Sequence, residues 1–319
     1  MRIAITGAAG FIGSNLAHRL SATGAELLLV DHPMVLEKRA NLAGLDAHRF
    51  LEHDRFASEL EHGALKPDVI YHLGACSSTT ETDWAYLTTN NVEYTQRMWR
   101  WCAANGRPLV YASSAATYGN GALGFDDTTH PRALTPLNLY GKSKNDFDRW
   151  ALEEVDAGRP APPTWAGVKF FNVYGPNELH KHEMASVVWH ARRQILATGT
   201  MRLFKSNDHR IADGQQRRDF VYVGDCLDHL IWLAAQRGVA GLFNSGTGTP
   251  RAFIDLTHAV FDALGRPRDV VFIDMPAKLS GQYQNFTQAT TAKLRAAGYA
   301  GTPTPLERGV PDTLATTTD

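Results

Sequence analysis

The chain has 319 residues, of which 44% are hydrophobic and 20% are charged, and its formal net charge is -1. Its 32 Lys and Arg residues are balanced by 33 Asp and Glu residues, so it lacks the basic excess expected of a protein that binds duplex nucleic acid. No apolar run reaches the ~18 residues of a membrane helix, and the length allows one large domain or one and a half.

The N-terminal pattern and the cysteines indicate the expected compartment. The first apolar run reads as a strand and not as the long apolar stretch of a targeting segment, so we expect a cytoplasmic protein. The three cysteines, Cys76, Cys102 and Cys226, are odd in number and widely spaced. This pattern favours reduced thiols over a disulfide framework.

A glycine-rich turn follows the first predicted strand, at residues 2–6, and precedes a helix. Gly7, Gly10 and Gly13 stand at a spacing of three. Glycines let the backbone approach a pyrophosphate, and the helix N-terminus offers free N–H groups, so the pattern predicts a dinucleotide pocket. A turn without a ligand is the alternative. Asp31, at the end of the next apolar run, stands where an acid would hold the adenosine ribose.

Apolar runs typical of strands recur along the chain, with helical segments between most of them. They occupy residues 2–6, 26–31, 69–72, 109–112, 168–172 and 242–244. Alternation of this kind predicts an α/β fold with a doubly wound, Rossmann-type parallel sheet and right-handed crossovers.

After residue 176 the pattern loosens. Helices are predicted at residues 184–198, 251–264 and 290–297, a strand at 270–275 and a polar loop at 206–218. We therefore expect a dinucleotide-binding domain at residues 1–175, to which a segment at about 224–247 returns. Residues 176–319 would form mainly a smaller C-terminal lobe that binds the substrate.

Tyr140 and Lys144 stand four residues apart, and Ser114 lies upstream of them. On a helix this spacing puts the phenol and the ammonium on one face, where the cation would stabilise a phenolate. An ordinary Tyr pKa of about 10 leaves almost no base at neutral pH, so such a neighbour would be needed. The alternative is that Tyr140 and Lys144 have no catalytic role and only share an ordinary amphipathic helix. The choice between the two interpretations has to take the glycine-rich turn into account.

With these residues the chain resembles the extended short-chain dehydrogenase/reductase family of nucleotide-sugar enzymes. Within that family it is most similar to the ADP-L-glycero-D-manno-heptose 6-epimerases of lipopolysaccharide synthesis. The runs that carry the resemblance are residues 74–81, 111–119, 136–141, 171–176, 180–181, 184–186, 218–222 and 281–288. The resemblance weakens after residue 302, where the tail lacks the final helix that the family usually has.

The resemblance implies epimerisation at C6 of the heptose in ADP-D-glycero-D-manno-heptose, through transient oxidation and re-reduction with a bound nicotinamide. Inverting a carbon that bears no acidic proton requires an acid/base group for each face of the carbonyl. Tyr140, helped by Ser114 and Lys144, is one candidate, and the family's His-Lys motif implies Lys181 as the second. A surface lysine is the alternative for Lys181.

The resemblance also implies binding residues and an assembly. The implied cofactor-binding residues are Gly7, Gly10, Phe11, Ile12, Gly13, Asp31, Lys38, Leu73, Gly74, Ala75, Cys76, Ser77, Asn90 and Val173. The implied substrate-binding residues are Asn172, His190, Phe204, Ser206, Arg218 and Tyr283. The family suggests a homo-oligomer, with a pentamer as the expected form.

Two signals compete over the cofactor. Asp31 favours an unphosphorylated ribose, whereas Lys38 and Arg39 would neutralise a 2′-phosphate. Since Lys38 matches a family contact to NADP, the sequence favours NADP, with NAD as the alternative.

Departures from the family pattern put the sugar and the nucleotide in doubt. They are Asn177, where the family usually has Arg, and His182 and Glu183. Another nucleotide-sugar epimerase, such as a 4-epimerase, and a non-catalytic NADP-binding sensor therefore stay open. His180 and His182 suggest a metal, but no acid or Cys cluster completes a site, so none is predicted.

Overall fold

The computed structural model describes residues 1–32, 36–276 and 284–316. Within them the strands are β1 (Arg2–Thr6), β2 (Glu26–Asp31), β3 (Arg49–Glu52), β4 (Val69–His72), β5 (Leu109–Ser114), β6 (Trp165–Phe170), β7 (Asn172–Tyr174), β8 (Met201–Phe204), β9 (Arg217–Arg218), β10 (Phe220–Tyr222), β11 (Ala240–Ser245), β12 (Arg251–Ala252) and β13 (Val270–Ile273).

The α-helices of the same residues are α1 (Phe11–Ser21), α2 (Leu36–Ala40), α3 (His53–Glu61), α4 (Trp84–Leu87), α5 (Tyr94–Asn105), α6 (Leu139–Asp156), α7 (Val187–Thr198), α8 (Val223–Ala235) and α9 (Phe253–Ala263), followed by Ala292–Ala296 and a final helix, Leu306–Ala315. A π-helical turn spans Thr88–Glu93, and 3-10 turns span Ala115–Tyr118, Pro131–Ala133 and Leu179–Met184.

Seven strands form one parallel sheet in the order β11-β6-β5-β4-β1-β2-β3. The order runs outward from β1 in both directions with helices between the strands, which confirms the predicted doubly wound, Rossmann-type fold. β1, β2 and β4 have the bounds that the sequence predicts. β3 was not predicted, because only Leu51 of its four residues is buried and the apolar signal of an edge strand is weak.

The two faces of the sheet carry separate hydrophobic cores. Ile3 and Ile5 of β1 pack on one face with α1 and α8, whereas Ala4, between them, packs on the other with α3, α5 and α6. Successive side chains of a strand point to opposite faces, so a strand covered on both sides reads as a continuous apolar run. This is why the central strands are easy to recognise in the sequence.

The C-terminal part forms a third core. Val188 of α7, Leu203 of β8 and Leu256 of α9 are buried together there. The small pairs are parallel β8–β13, antiparallel β9–β12 and parallel β7–β10. β11 returns to the main sheet beside β6. The division near residue 175 into two domains stays a prediction.

Three sequence expectations need correction. The tail does form a helix, Leu306–Ala315, whose Leu306 and Val310 enter the third core. Its Gly309 and Pro311, both poor helix formers, conceal the periodicity in the sequence. The predicted strand 168–172 is divided between β6 and β7. The helices expected from residues 184 and 251 begin at Val187 and Phe253.

Across the described ranges, no helix combines the length and the apolar character that a bilayer crossing needs.

Candidate active site

A cavity of about 510 Å³ opens at the carboxyl ends of the central strands. In doubly wound sheets this edge is where ligands bind. Its lining brings together most of the residues that the sequence predicts for the cofactor and for proton transfer: Gly7, Gly10, Phe11, Ile12, Gly13, Asp31, Lys38, Leu73, Gly74, Ala75, Ser77, Asn90, Ser114, Tyr140, Lys144 and Lys181.

The glycines hold α1 against β1 and β4. A Cβ on Gly13 would lie 2.1 Å from the Gly7 carbonyl oxygen, and one on Gly7 would lie 2.6 Å from the Gly74 nitrogen. Gly7 also has a φ of +67°, which a side chain would strain. α1 therefore starts at the cavity with the free N–H groups of its first turn. This cradle fits the pyrophosphate of a dinucleotide.

Asp31 is the last residue of β2 and lines the cavity, where its carboxylate is already hydrogen-bonded. Its Oδ2 accepts from the Ala9 N–H at 2.9 Å, and its Oδ1 accepts from the His32 N–H at 2.8 Å. Lys38 Nζ pairs with Oδ1 at 3.3 Å. Two residues that the sequence reasoning missed, His32 and His53, lie here with ring centres 3.8 Å apart and ring planes tilted by 45°. Burial, followed by the charge of His53, lowers the pKa of His32.

Tyr140, Lys144 and Ser114 meet where β5 ends and α6 begins. Asn138 caps α6 by accepting the Gly141 N–H at 2.7 Å, which fixes Tyr140 in the first helical turn. Burial raises the pKa of Tyr140, and its hydrogen bond with Ser114 opposes that rise. The phenol therefore keeps its proton at neutral pH.

Lys144, one helical turn after Tyr140, has a partner of its own. Lys144 is buried, and its Nζ donates to the Ala112 carbonyl at 2.9 Å. Burial lowers the pKa of Lys144 to about 8, and the charge of Asp148 opposes that shift. The ammonium is therefore held at a backbone carbonyl.

Beneath this group lies a fully buried ion pair that the sequence analysis missed. Lys169 Nζ of β6 is 3.0 Å from Asp148 Oδ2 of α6, and both side chains are 0% exposed. Asp148 Oδ2 also accepts from Ser113 Oγ at 2.6 Å, and Lys169 donates to Thr117 Oγ1 at 2.7 Å. The pair joins α6 and β6 to the serine end of β5. The 21-residue separation of the partners left no local signal.

Lys181 reaches the cavity from the loop after β7. Its Nζ lies 4.8 Å from the centre of the Phe11 ring and 3.2 Å from Glu178 Oε2. Glu178, which the sequence analysis did not single out, is buried. His182 has a φ of 46°, and Glu183, another departure from the family pattern, is exposed.

The same loop is hydrogen-bonded to helix α1, which follows the glycine-rich turn, and to Asn41. Asn177, with a φ of 68° that asparagine tolerates, donates to Ser14 Oγ at 3.1 Å. Asn15 Nδ2 donates to the Pro176 carbonyl at 3.1 Å, and Asn41 Nδ2 donates to His180 Nδ1 at 3.0 Å. Asn177, a departure from the family pattern, therefore has a structural role.

Some predicted residues lie away from the cavity lining. Cys76 is bound through its backbone by Asn91, whose side chain also donates to Ser143, and Val173 packs on a core of the main sheet. Five of the predicted substrate-binding residues do not line the cavity. They lie in β7, α7, β8 and the segments that follow: Asn172, His190, Phe204, Ser206 and Arg218. Tyr283 is outside the described residues.

Arg218 differs from its neighbour. It is buried, with Cζ 5.5 Å from the Phe253 ring, whereas Arg217 is exposed, so the two are not a solvated basic pair. Among the residues with described positions, no three His, Cys, Asp or Glu side chains gather as a metal site would need.

Comparison with known proteins defines the class. The profile of the NAD dependent epimerase/dehydratase family matches residues 3–246, and the chain belongs to this family. The ADP-L-glycero-D-manno-heptose-6-epimerase of Nitratidesulfovibrio vulgaris (Hildenborough) is 47% identical over 311 residues, covering 96% of this chain and 94% of the relative. That of Fusobacterium nucleatum is 41% identical, covering 97% and 96%. These relatives confirm the resemblance found in the sequence.

A solved structure agrees. The Helicobacter pylori ADP-L-glycero-D-manno-heptose-6-epimerase superposes with a TM-score of 0.82 and 26% identity, covering 98% of this chain and 95% of that one. A UDP-N-acetylglucosamine 4-epimerase from Methanobrevibacter ruminantium gives a TM-score of 0.81 at 20% identity, which shows the shared fold alone.

The buried ion pair yields a prediction of stability. Lys169→Met should lower the free energy of unfolding by about 3–5 kcal/mol, because it leaves the Asp148 carboxylate buried without its cation. Urea unfolding at pH 7 measures the loss.

Lys205→Met is the matched control. Lys205 pairs with Asp274 at 2.9 Å on the surface, and its loss should cost about 1 kcal/mol or less. Equal losses for the two variants would contradict the role given to the buried pair.

Proposed function

We propose that the protein inverts C6 of the heptose in ADP-D-glycero-D-manno-heptose to give the L-glycero epimer, for lipopolysaccharide synthesis. One observation carries the proposal. Tyr140 and Lys181, two groups able to exchange protons, line a single cavity beside the glycine-rich turn and come from separate parts of the chain. Relatives of that name at 41–47% identity over nearly the full length support the choice of substrate.

The chemistry explains why two such groups are needed. A bound nicotinamide would take hydride from C6 and return it to the opposite face of the resulting ketone. The hydroxyl oxygen then loses a proton on one side and regains one on the other, so each side needs its own partner. Tyr140, at the β5 end, and Lys181, in the loop after β7, are the two partners we propose.

The environments of Tyr140 and Lys181 suit their roles on opposite sides of the sugar carbonyl. The Ser114 hydroxyl orients the Tyr140 phenol, which exchanges a proton with the sugar oxygen on one face, while Lys181 does so on the other. Whichever group accepts the proton lost on oxidation must be unprotonated at that step, and the other group supplies the proton gained on re-reduction. Lys144 is fixed by the Ala112 carbonyl next to Tyr140 and Ser114. Lys181 is 24% exposed and remains in contact with the cavity.

We propose NADP as the cofactor. Family membership gives a nicotinamide dinucleotide, and the residues around Asp31 support the phosphorylated form. Asp31 is engaged by two backbone N–H groups and by Lys38, which leaves the carboxylate less available to a ribose hydroxyl. A 2′-phosphate could draw on the Lys38 ammonium.

The remaining expectations stay proposals. The segments after residue 175 would hold the ADP-heptose, with Arg218 as the candidate for the diphosphate, since a guanidinium can grip phosphate in bidentate fashion. We also propose a cytoplasmic homo-oligomer, with the pentamer suggested by the family.

Tyr140→Phe should reduce epimerisation by about 10²–10⁴-fold, because only the proton-bearing oxygen is removed. Fold and dinucleotide binding should be retained. Interconversion of the 6-epimers is followed by NMR, with Tyr86→Phe, an exposed tyrosine of α4, as the control. Near-normal turnover by Tyr140→Phe would remove this residue from the mechanism and reopen the sensor alternative if the wild type were equally slow.

Lys181→Met, which keeps much of the side-chain volume, should fold normally, retain NADP and lose most epimerisation of ADP-D-glycero-D-manno-heptose. Lys142→Met is the control, because Lys142 lies on the Tyr140 helix but pairs with Asp146 at the surface. Activity of Lys181→Met within a few-fold of wild type would exclude the second acid/base role. A wild type that ignores the heptose but epimerises a hexose nucleotide at C4 would support the 4-epimerase alternative.

Lys38→Ala should weaken NADP binding by about tenfold or more and change NAD binding little, because the lost charge-assisted contact is to the 2′-phosphate. Isothermal titration calorimetry with each dinucleotide measures both constants. Lys66→Ala is the control, since Lys66 is exposed and does not line the cavity. Tighter binding of NAD than of NADP by the wild type would overturn the assignment.

A further inference from the structure

We infer that Glu178 is the positioning residue that holds Lys181 in place for proton transfer; this inference rests on the function proposed above. Glu178 lies three residues before Lys181 in the loop between β7 and α7. Its carboxylate is 1% exposed, although an isolated ionised carboxylate is costly to bury. The cost must be offset by its partners.

Both oxygens of Glu178 are engaged. Oε1 accepts from the Gly175 N–H at 3.2 Å, and Oε2 accepts from the Ser186 N–H at 2.8 Å. Gly175 and Ser186 stand at opposite ends of the loop, so the carboxylate ties its two ends together. Lys181 Nζ, 3.2 Å from Oε2, supplies the balancing positive charge.

The loop geometry leaves Lys181 facing the cavity. The backbone turns through left-handed conformations at Asn177 and His182, on either side of Lys181. The Lys181 ammonium then lies between the Glu178 carboxylate and the face of the Phe11 ring, two groups that both favour a cation.

A purely structural role for Glu178 makes a different prediction. If the carboxylate only closes the loop through Gly175 and Ser186, replacing it should lower stability and activity without changing the pH at which Lys181 gives up its proton. If it also holds Lys181 through their contact, removing its negative charge must change that pH. The neutral isostere Glu178→Gln separates these roles, because its amide oxygen can still accept from a backbone N–H.

Two readouts test the inference. In the pH profile of kcat for the 6-epimerisation, the limb that depends on Lys181 should move to lower pH by about one unit in Glu178→Gln. Competitive labelling with acetic anhydride, followed by mass spectrometry of the Lys181 peptide, should show the same displacement in the absence of substrate. Glu183→Gln, which removes an exposed carboxylate from the same loop, should leave both profiles unchanged.

The outcomes are distinct. Unchanged labelling and kinetic profiles in a folded Glu178→Gln protein would overturn the inference. If Glu178→Gln does not fold, Glu178→Asp decides: the shorter carboxylate should keep the labelling profile near that of wild type and reduce kcat, and an unaltered kcat would overturn the positioning role. A wild type without heptose epimerisation would refute the proposed function, while the labelling experiment would still test the pairing of Glu178 with Lys181.

Discussion

The contact between α1 and β1 is the constraint on which the rest of the site depends. Gly7, Gly13 and Gly74 allow backbones to approach to distances that no side chain would permit. The first turn of α1 is thereby fixed at the edge of the sheet. Ser14 and Asn15, in the same helix, then bind the loop at residues 176–177. Helix α1 therefore positions both the glycine-rich turn and the loop that carries Lys181.

Local patterns in the sequence predicted much of the fold and many of the residues that line the cavity. β1, β2 and β4 were located because burial on both faces makes them continuous apolar runs, and the glycine turn and the Tyr140–Lys144 spacing are short-range signals. Asp148, Lys169 and Glu178 were missed. The first two are partners across 21 residues, and a carboxylate in a loop reads as a surface group until its burial is known. The spacing of Tyr140 and Lys144 did not show that the Lys144 ammonium binds the Ala112 carbonyl.

Three lysines near the site illustrate how a partner determines what one residue type does. Lys144 is bound to a neutral carbonyl and its pKa falls to about 8, Lys169 is fully buried against Asp148, and Lys181 is partly exposed beside Glu178. Burial disfavours the ammonium of Lys144, whereas Lys169 and Lys181 each have a carboxylate as their partner. The sequence shows three similar side chains, whereas the fold gives them three different environments.

The buried pair of Asp148 and Lys169 also constrains how this chain can recombine with its relatives. The Pro-rich loop at residues 158–163 separates α6 from β6 and would otherwise be an attractive crossover point for chimeras. A junction there takes the carboxylate from one parent and the ammonium from the other. A parent that lacks one partner would place a lone charge in the interior, under the serines of β5. Viable hybrids should therefore inherit both charges together, so that these two distant positions behave as a single inherited unit.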